Sequence, residues 1–468
     1  MKLWPLLCGM AAVAGCAHFE SQPLSPEKSA AQFDARRLDD PGLKIFLTQN
    51  LGHEPKNWPQ QNWNFHELTL VAFYFHPSLE VARAQWRVAE AGIKTAGGRP
   101  NPTLSVTPEY NTTTLVPSPW GPSVSFDVPL ETMGKRSKRI ATAEKVAESA
   151  RFSFASAAWQ VRSGVRASLL DFQMAGMRAE WLQRQLAHQQ QIVKRLQQRF
   201  EAGAISRAEL TPMQIALHKT QLDLGDAQSK EAEAHSRLAE ALGLSTAALA
   251  DQEFEADFST REVSQLTSAA ARRVALQSRP DILSALADYA AAEADLRLEI
   301  AKQYPDMHLN PGYQFDQGDN KWSLGLTVEL PILNQNQGAI AEAEARRKLS
   351  AAKFAQLQAQ VIGEIDRAVA GWRVAQAQLN ASSELLTAQQ EQQKSVAAQL
   401  QAGASDQLDL LNAELELMSA QLAQLDNQMK FQSAFGALED ALQRPADSIA
   451  AVIEKISSEN PNGKASHP

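Results

Sequence analysis

From residue 322 to residue 330 apolar and polar side chains alternate: Trp322, Leu324, Leu326, Val328 and Leu330 are separated by Ser323, Gly325, Thr327 and Glu329. A period of two puts the two sets on opposite faces of a β-strand. Three other segments repeat it. Val124, Phe126, Val128 and Leu130 alternate with Ser123, Ser125 and Asp127, Leu104 and Val106 mark another strand, and Met307, Leu309, Tyr313 and Phe315 mark the last. The pattern predicts strands over 103–110, 123–130, 307–315 and 322–330, paired through loops 111–122 and 316–321 that are rich in Pro, Gly, Asn and Asp. Each approaches the ~9–11 residues with which a tilted strand crosses a bilayer, its apolar face to lipid and its polar face to a lumen.

Four such strands cannot close a barrel, and an open edge in lipid leaves backbone N–H and C=O groups unpaired at several kcal/mol each. Other chains must complete the ring. Three copies, each with two similar hairpins, would give a nearly sixfold barrel wide enough to conduct, so a homotrimer is expected.

Elsewhere the period is helical. No proline interrupts the 68 residues from Gly134 to Glu201, which as one helix would reach about 100 Å. The stretch 338–401 is similar, and return helices are expected over 206–243 and 406–443. In the second of these, Leu408, Leu411, Leu415, Met418, Leu422, Leu425 and Met429 form a heptad seam, whose expected partners are Leu379, Leu386, Val396 and Leu400 on the preceding helix. Leu182, Leu186, Val193, Leu196 and Phe200 are the counterpart in the first half. The reversals read Glu201-Ala202-Gly203-Ala204-Ile205-Ser206 and Gln401-Ala402-Gly403-Ala404-Ser405-Asp406, where Gly suits a left-handed cap. Shorter helices over 66–98 and 280–303 end at Pro100 and Pro305, because proline removes a donor and restricts the residue before it.

At a shift of about 200 residues the chain matches itself, the sign of an internal repeat. His76-Pro77-Ser78-Leu79 corresponds to Arg279-Pro280-Asp281-Ile282, Val128-Pro129-Leu130 to Leu330-Pro331-Ile332, and Ala202-Gly203-Ala204 to Ala402-Gly403-Ala404. The predicted fold is mainly α with a small β part, written twice, in 65–244 and 276–445. A connector, 245–275, is expected to belt the helices from outside. Residues 16–64 are expected to run as an extended tether with one short helix near 40–50, and 446–468 to lack structure.

Composition fits long helices, with only 7% aromatic residues, and a net charge of −8 offers no basic surface for nucleic acid. Residues 1–15 combine Lys2, an apolar run and small residues directly before Cys16, as in an export signal. The Ala-Gly-Cys junction resembles a bacterial lipoprotein box, which implies cleavage before Cys16 and a covalent lipid on it. The alternative is an ordinary signal peptide with Cys16 incidental. No other cofactor is expected. His188, His218 and His235 lack the close pairing of metal ligands and are expected on the surface. No nucleophile and base, phosphate loop or zinc spacing supports an enzyme.

These residues resemble the TolC superfamily of outer-membrane efflux ducts. Arg99-Pro100-Asn101-Pro102 and Val128-Pro129-Leu130-Glu131-Thr132-Met133-Gly134-Lys135-Arg136 are similar to the CzcC-type ducts of heavy-metal efflux. The resemblance implies a trimeric outer-membrane barrel continued as a periplasmic helical tunnel. The tunnel would dock on a periplasmic adaptor coupled to an inner-membrane RND-type transporter, with the duct itself doing no chemistry. Heavy-metal cations are the implied cargo, with drugs, solvents or a secreted polypeptide as the alternative, and a lipidated coiled-coil scaffold without a pore as a reading of another class. The implied adaptor contacts are Gly203, Ala204, Gly403 and Ala404, and the implied periplasmic gate is Asp409 with Asn412. The family's second gate carboxylate is replaced by Asn412, the first repeat has Glu209 and Pro212 at these places, and Asp409 could equally be an ordinary solvated position.

Overall fold

The computed structural model describes residues 19–55, 57–112, 117–250, 252–255, 266–444 and 452–455. Cys16 lies outside them. Two N-terminal helices, α1 (Pro26–Asp34) and α2 (Pro41–Leu51), and strand β1 (Asn62–Asn64) precede the first repeat. That repeat comprises α3 (Phe65–Phe75), α4 (Pro77–Ala96), β2 (Thr103–Thr107), β3 (Ser123–Leu130), α5 (Lys135–Glu201) and α6 (Arg207–Leu242). After strand β4 (Glu253–Glu255) the second repeat follows as α7 (Ala269–Ser278), α8 (Pro280–Ala301), β5 (Met307–Asp316), β6 (Asp319–Val328), α9 (Gln337–Gln401) and α10 (Gln407–Leu442). Helices α5 and α9, of 67 and 65 residues, are the struts, each roughly 100 Å long at the usual rise.

The expected helix over 66–98 is two helices. His76 leaves the helical region at φ −70°, ψ 122° and Pro77 opens α4, because the residue before proline is pushed to extended geometry while proline itself suits a first helical turn. Arg279 and Pro280 repeat the break between α7 and α8.

The four strands form one antiparallel sheet in the order β2-β3-β5-β6. Three of the expected strands change length: β5 gains Asp316, and β6 runs from Asp319 to Val328 rather than over 322–330. Strand β2 stops at Thr107, before Pro108, and the Tyr110–Trp120 bridge alone carries the pairing further. The expected loop 316–321 shrinks to Gln317 and Gly318, both left-handed at φ 51° and 104°. Such a two-residue turn follows the twist of a hairpin and lets β6 begin at Asp319, opposite Asp316.

The heptad stripe of α10 is buried or half-buried, and although α10 lies along the preceding helix α9, the stripe's leucines cluster with the first repeat. Leu408, Leu411 and Leu415 cluster with Ile192, Leu196 and Phe200 of α5 and with Leu210 and Met213 of α6. Leu422 joins Leu182, Leu186 and Leu224, and Leu425 and Met429 join Leu170 and Met174. A period of seven defines a stripe without naming what it meets; here it joins the two repeats.

Where this seam reaches the middle of the molecule it becomes ionic. Arg162 and Arg166 of α5 and Glu439 of α10 are all buried. Arg162 Nη2 lies 3.4 Å from Glu439 Oε1 and Arg166 Nε 3.3 Å from Oε2. Arg166 Nη1 donates to the Gln432 carbonyl at 2.9 Å, across Gly436, where any Cβ would sit 2.0 Å from that nitrogen. Asp440 accepts from Trp159 Nε1 at 3.2 Å and from the Ser163 hydroxyl. Burial is the main influence on its carboxyl and raises its pKa, although Ser163 and both arginines pull the other way.

The N-terminal segment is not an extended tether. Leu38, Leu43 and Leu47 pack in the largest core with Leu68, Trp63, Val165 and Leu238, and Arg36 Nη1 donates to the carbonyls of Phe75 and Gly243 at 2.8 and 2.9 Å. The connector joins this core through β4, which pairs in parallel with β1. Nor is all of 446–468 without structure: a helical turn at 452–455 buries Val452 and Ile453 there, and Lys455 Nζ donates to the Gln49 carbonyl at 3.2 Å.

Removing one partner of a buried ion pair leaves charge unpaired in a low dielectric. Glu439→Ala is therefore expected to destabilise the fold by about 3–5 kcal/mol, read as a lowered thermal midpoint by circular dichroism in detergent. A loss below about 1 kcal/mol would mean that Asp440 alone satisfies both arginines.

Candidate channel wall and docking tips

The sheet has one greasy and one polar face, as its alternation requires. Leu104, Val106, Phe126, Leu324 and Leu326 lie on the apolar face, and Trp322 is 81% exposed there. Among the described residues no helix covers it, and both outer strands, β2 and β6, have one side without a partner strand. At the hairpin ends, Tyr110 and Trp120 pack edge to face at 4.9 Å, and Tyr313 lies 4.9 Å from Trp322. Paired aromatic rings at the end of an apolar band suit a membrane interface, where one side of each ring is dry and the other wet.

The quoted motif at the strand-to-helix junction turns out to be a collar. Gly134 is left-handed at φ 66° and starts α5. Lys135, almost fully buried, places Nζ 2.8 Å from Asp306 of the second repeat. Thr132 donates its N–H to Asp306 at 2.9 Å and its hydroxyl to the Pro305 carbonyl at 2.7 Å. Burial opposes charge on Asp306, yet the Lys135 and Thr132 donors together hold its carboxyl below the ordinary range. Arg139 pairs with Glu131 and donates to the Ala96 and Gly98 carbonyls, while Arg136 Nε donates to that of Gly97 at 2.7 Å. The motif thus closes the end of α4 and ties both repeats to the base of the sheet.

At the far end of the struts the two reversals are built alike. Gly203 and Gly403 sit at φ 70° and 72°. The Ala204 N–H reaches back to the Arg199 carbonyl at 2.8 Å and the Gly203 N–H to that of Phe200 at 2.9 Å, and Ala404 and Gly403 do the same to Gln399 and Leu400. This is the double closure of a Schellman cap, which needs a left-handed residue. Capping boxes then start the return helices. Ser206 pairs with Glu209, and Asp406 with Asp409. Gly203, Ala204, Gly403 and Ala404 are all exposed.

Asp409 has a local duty in this arrangement. Its Oδ2 accepts from the Asp406 N–H at 3.0 Å and the Ser405 hydroxyl at 2.8 Å, while Asn412 is exposed one turn further on. The Asp-x-x-Asp spacing signalled such a cap in the sequence. Asp406 does more. It also faces Arg199 across the repeats, with Nη2 2.6 Å from Oδ2. That pair, foremost among the causes, holds the Asp406 carboxyl below its usual range and raises Arg199. Beside it, Arg195, Gln198, Ala204 and Leu408 line a shallow cavity of about 250 Å³ between the tips.

Of the three histidines expected on the surface, His188 lies in the seam and His235 is half-buried. His188 is 11% exposed and places Nε2 2.9 Å from the Leu411 carbonyl and 3.3 Å from Glu414 Oε2, inside the seam. His235 packs on Phe172 at 5.6 Å, whereas His218 is exposed beside Gln221. Among the described residues no three His, Cys, Asp or Glu side chains gather as a metal cage, and no helix is long and apolar enough to cross a membrane.

A carboxyl with a lowered folded pKa stabilises above its unfolded value, near 3.9, and loses that contribution as pH falls. Spin labels on the two tips are therefore expected to move apart below about pH 4. In Arg199→Ala the broad distance distribution should already be present at pH 7. Equal distributions in both proteins at every pH would show that apolar packing alone holds the tips.

The family model described as outer membrane efflux protein matches residues 75–244 and 271–443. CzcC of Cupriavidus metallidurans, a cobalt-zinc-cadmium resistance protein, is 24% identical over 269 residues, 57% of this chain and 62% of CzcC, so less than two thirds of that relative is spanned. CusC of Escherichia coli, a cation efflux system protein, is 25% identical over 364 residues, 74% of this chain and 78% of CusC. Among solved structures, Vibrio cholerae VceC superposes with a TM-score of 0.67 at 20% identity over 82% of this chain and 97% of VceC. A CusC structure gives 0.66 at 20% identity over 83% and 95%. With both repeats matched, the chain belongs to the outer membrane efflux protein family.

Proposed function

We propose that three copies of this chain form a passive outer-membrane duct of a tripartite pump, carrying heavy-metal cations outward. The observation that carries it is the sheet, which among the described residues has an uncovered apolar face and two unpartnered edge strands. In lipid such a sheet must be continued by other copies, since every backbone group there needs a partner. Three sheets would close a barrel, and α5 and α9 would extend it as a tunnel. The likeness to CzcC and CusC, resistance and efflux proteins for metal cations, supports the cargo class, and the exposed tips would form the docking end for a periplasmic adaptor coupled to an inner-membrane transporter.

Gly203 and Gly403 tie the reading to function. Proline at either position cannot adopt φ near +70°, so the double variant should lose efflux while keeping its trimer yield in detergent. A deletion strain complemented with the wild type should regain tolerance to cobalt, zinc, cadmium or copper, and the double variant should not. Restored tolerance to drugs alone would overturn the metal cargo, and full activity of the double variant would overturn tip docking.

The anchor follows from Cys16. A lipid there would hold the chain to the inner leaflet of the outer membrane. Wild-type protein should take up labelled palmitate and Cys16→Ser should not; equal labelling would remove the anchor.

A further inference from the structure

We infer that His308 is a transit ligand for divalent cations on the lumenal wall, oriented by Asp127. The inference rests on the duct reading above, because only barrel closure turns the polar face of the sheet into a lumen. On that face, His308 Nδ1 lies 2.8 Å from Asp127 Oδ1 and 3.1 Å from Oδ2, from one strand to the next. Asp127 is itself held: Asn310 Nδ2 donates to its Oδ1 at 3.3 Å. Asn310 in turn accepts from the Thr327 hydroxyl at 2.9 Å, which fixes the amide's orientation. The chain of bonds crosses β6, β5 and β3 and ends on the imidazole.

This is the arrangement that orients metal-binding histidines. A carboxylate on one ring nitrogen fixes the tautomer and leaves the other nitrogen free to coordinate. The register partners of His308 are Pro129 and Thr327, and among the described residues Nε2 has no hydrogen-bond partner. The pair is neither buried as a structural ion pair nor lost in bulk water, with side chains 40% and 43% exposed. At the hairpin end Lys321 Nζ pairs with Asp316 at 2.6 Å, while at the base of the sheet Glu131 is taken up by Arg139 and Asp306 by Lys135, and Glu329 follows Thr327.

Imidazole selects borderline cations such as Zn²⁺, Co²⁺, Ni²⁺ and Cu²⁺, while Mg²⁺ and Ca²⁺ prefer oxygen ligands. A single imidazole with water completing the shell binds weakly, as a conduit requires, because an ion held by a full cage would not leave. Three copies would set three such stations around one level of the barrel.

The test is current through the purified trimer, without a histidine tag, in planar bilayers of KCl with ZnCl₂ or MgCl₂ added. Zn²⁺ is expected to reduce the current at a concentration at least tenfold below that needed with His308→Gln, and Asp127→Asn should raise the midpoint by a similar factor. Mg²⁺ should not distinguish the proteins. Open-channel current in KCl alone reports that each variant is assembled. Equal Zn²⁺ midpoints in wild type and His308→Gln would overturn the site. If those midpoints are equal while the wild-type gene restores metal tolerance, the site fails and the duct reading stands; a His308-dependent Zn²⁺ effect without restored tolerance leaves the site and removes the metal cargo.

Discussion

The structure depends on the seam between the first long helix and the last return helix. Hairpins of this length expose far more surface than they cover in isolation, and a helix about 100 Å long has no core of its own. The α10 stripe supplies one by packing on α5 and α6 of the other repeat. Toward the tip it ends in an exposed ion pair, Arg199 with Asp406, and toward the middle in a buried one, Arg162 and Arg166 with Glu439. The same seam is thus held tightly at one end and lightly at the other. Exposed pairs are screened and contribute little, whereas buried ones resist separation, so freedom to move concentrates at the tips.

The strands were legible because a sheet wetted on one side must alternate, and nothing in a helix-rich sequence imitates that period. Their ends were less so: Pro108 stops β2, and Gln317-Gly318 makes a tight turn without the Asn or Asp that usually announces one. The struts were legible from missing prolines. The partner of the leucine stripe was not, since a heptad records which side of a helix is apolar and nothing about which neighbour is nearer. In the N-terminal segment the helix near 40–50 was legible and stands at Pro41–Leu51, capped by Asp40; its docking in the core through Leu43 and Leu47 was not, since the partners Leu68, Val165 and Leu238 are distant in sequence.

The candidate site divides in the same way. The tip glycines announced themselves, because a left-handed cap constrains the residue type. Asp409 was visible as a carboxylate but its work in the cap depends on Asp406 three residues before it. His188 and His308 stood alone in the sequence, and their partners, Leu411 with Glu414 and Asp127, are supplied by the opposite repeat or the next strand. Pairings across a duplication of this size leave no local trace.

The largest core draws on Leu38 near one end of the chain and Ile453 near the other. Folding therefore cannot finish in the order of synthesis or export. The first repeat stays short of Val452 and Ile453, two of its buried packing partners, until the chain has reached that far into the same compartment. Closure of the molecule is timed by its tail.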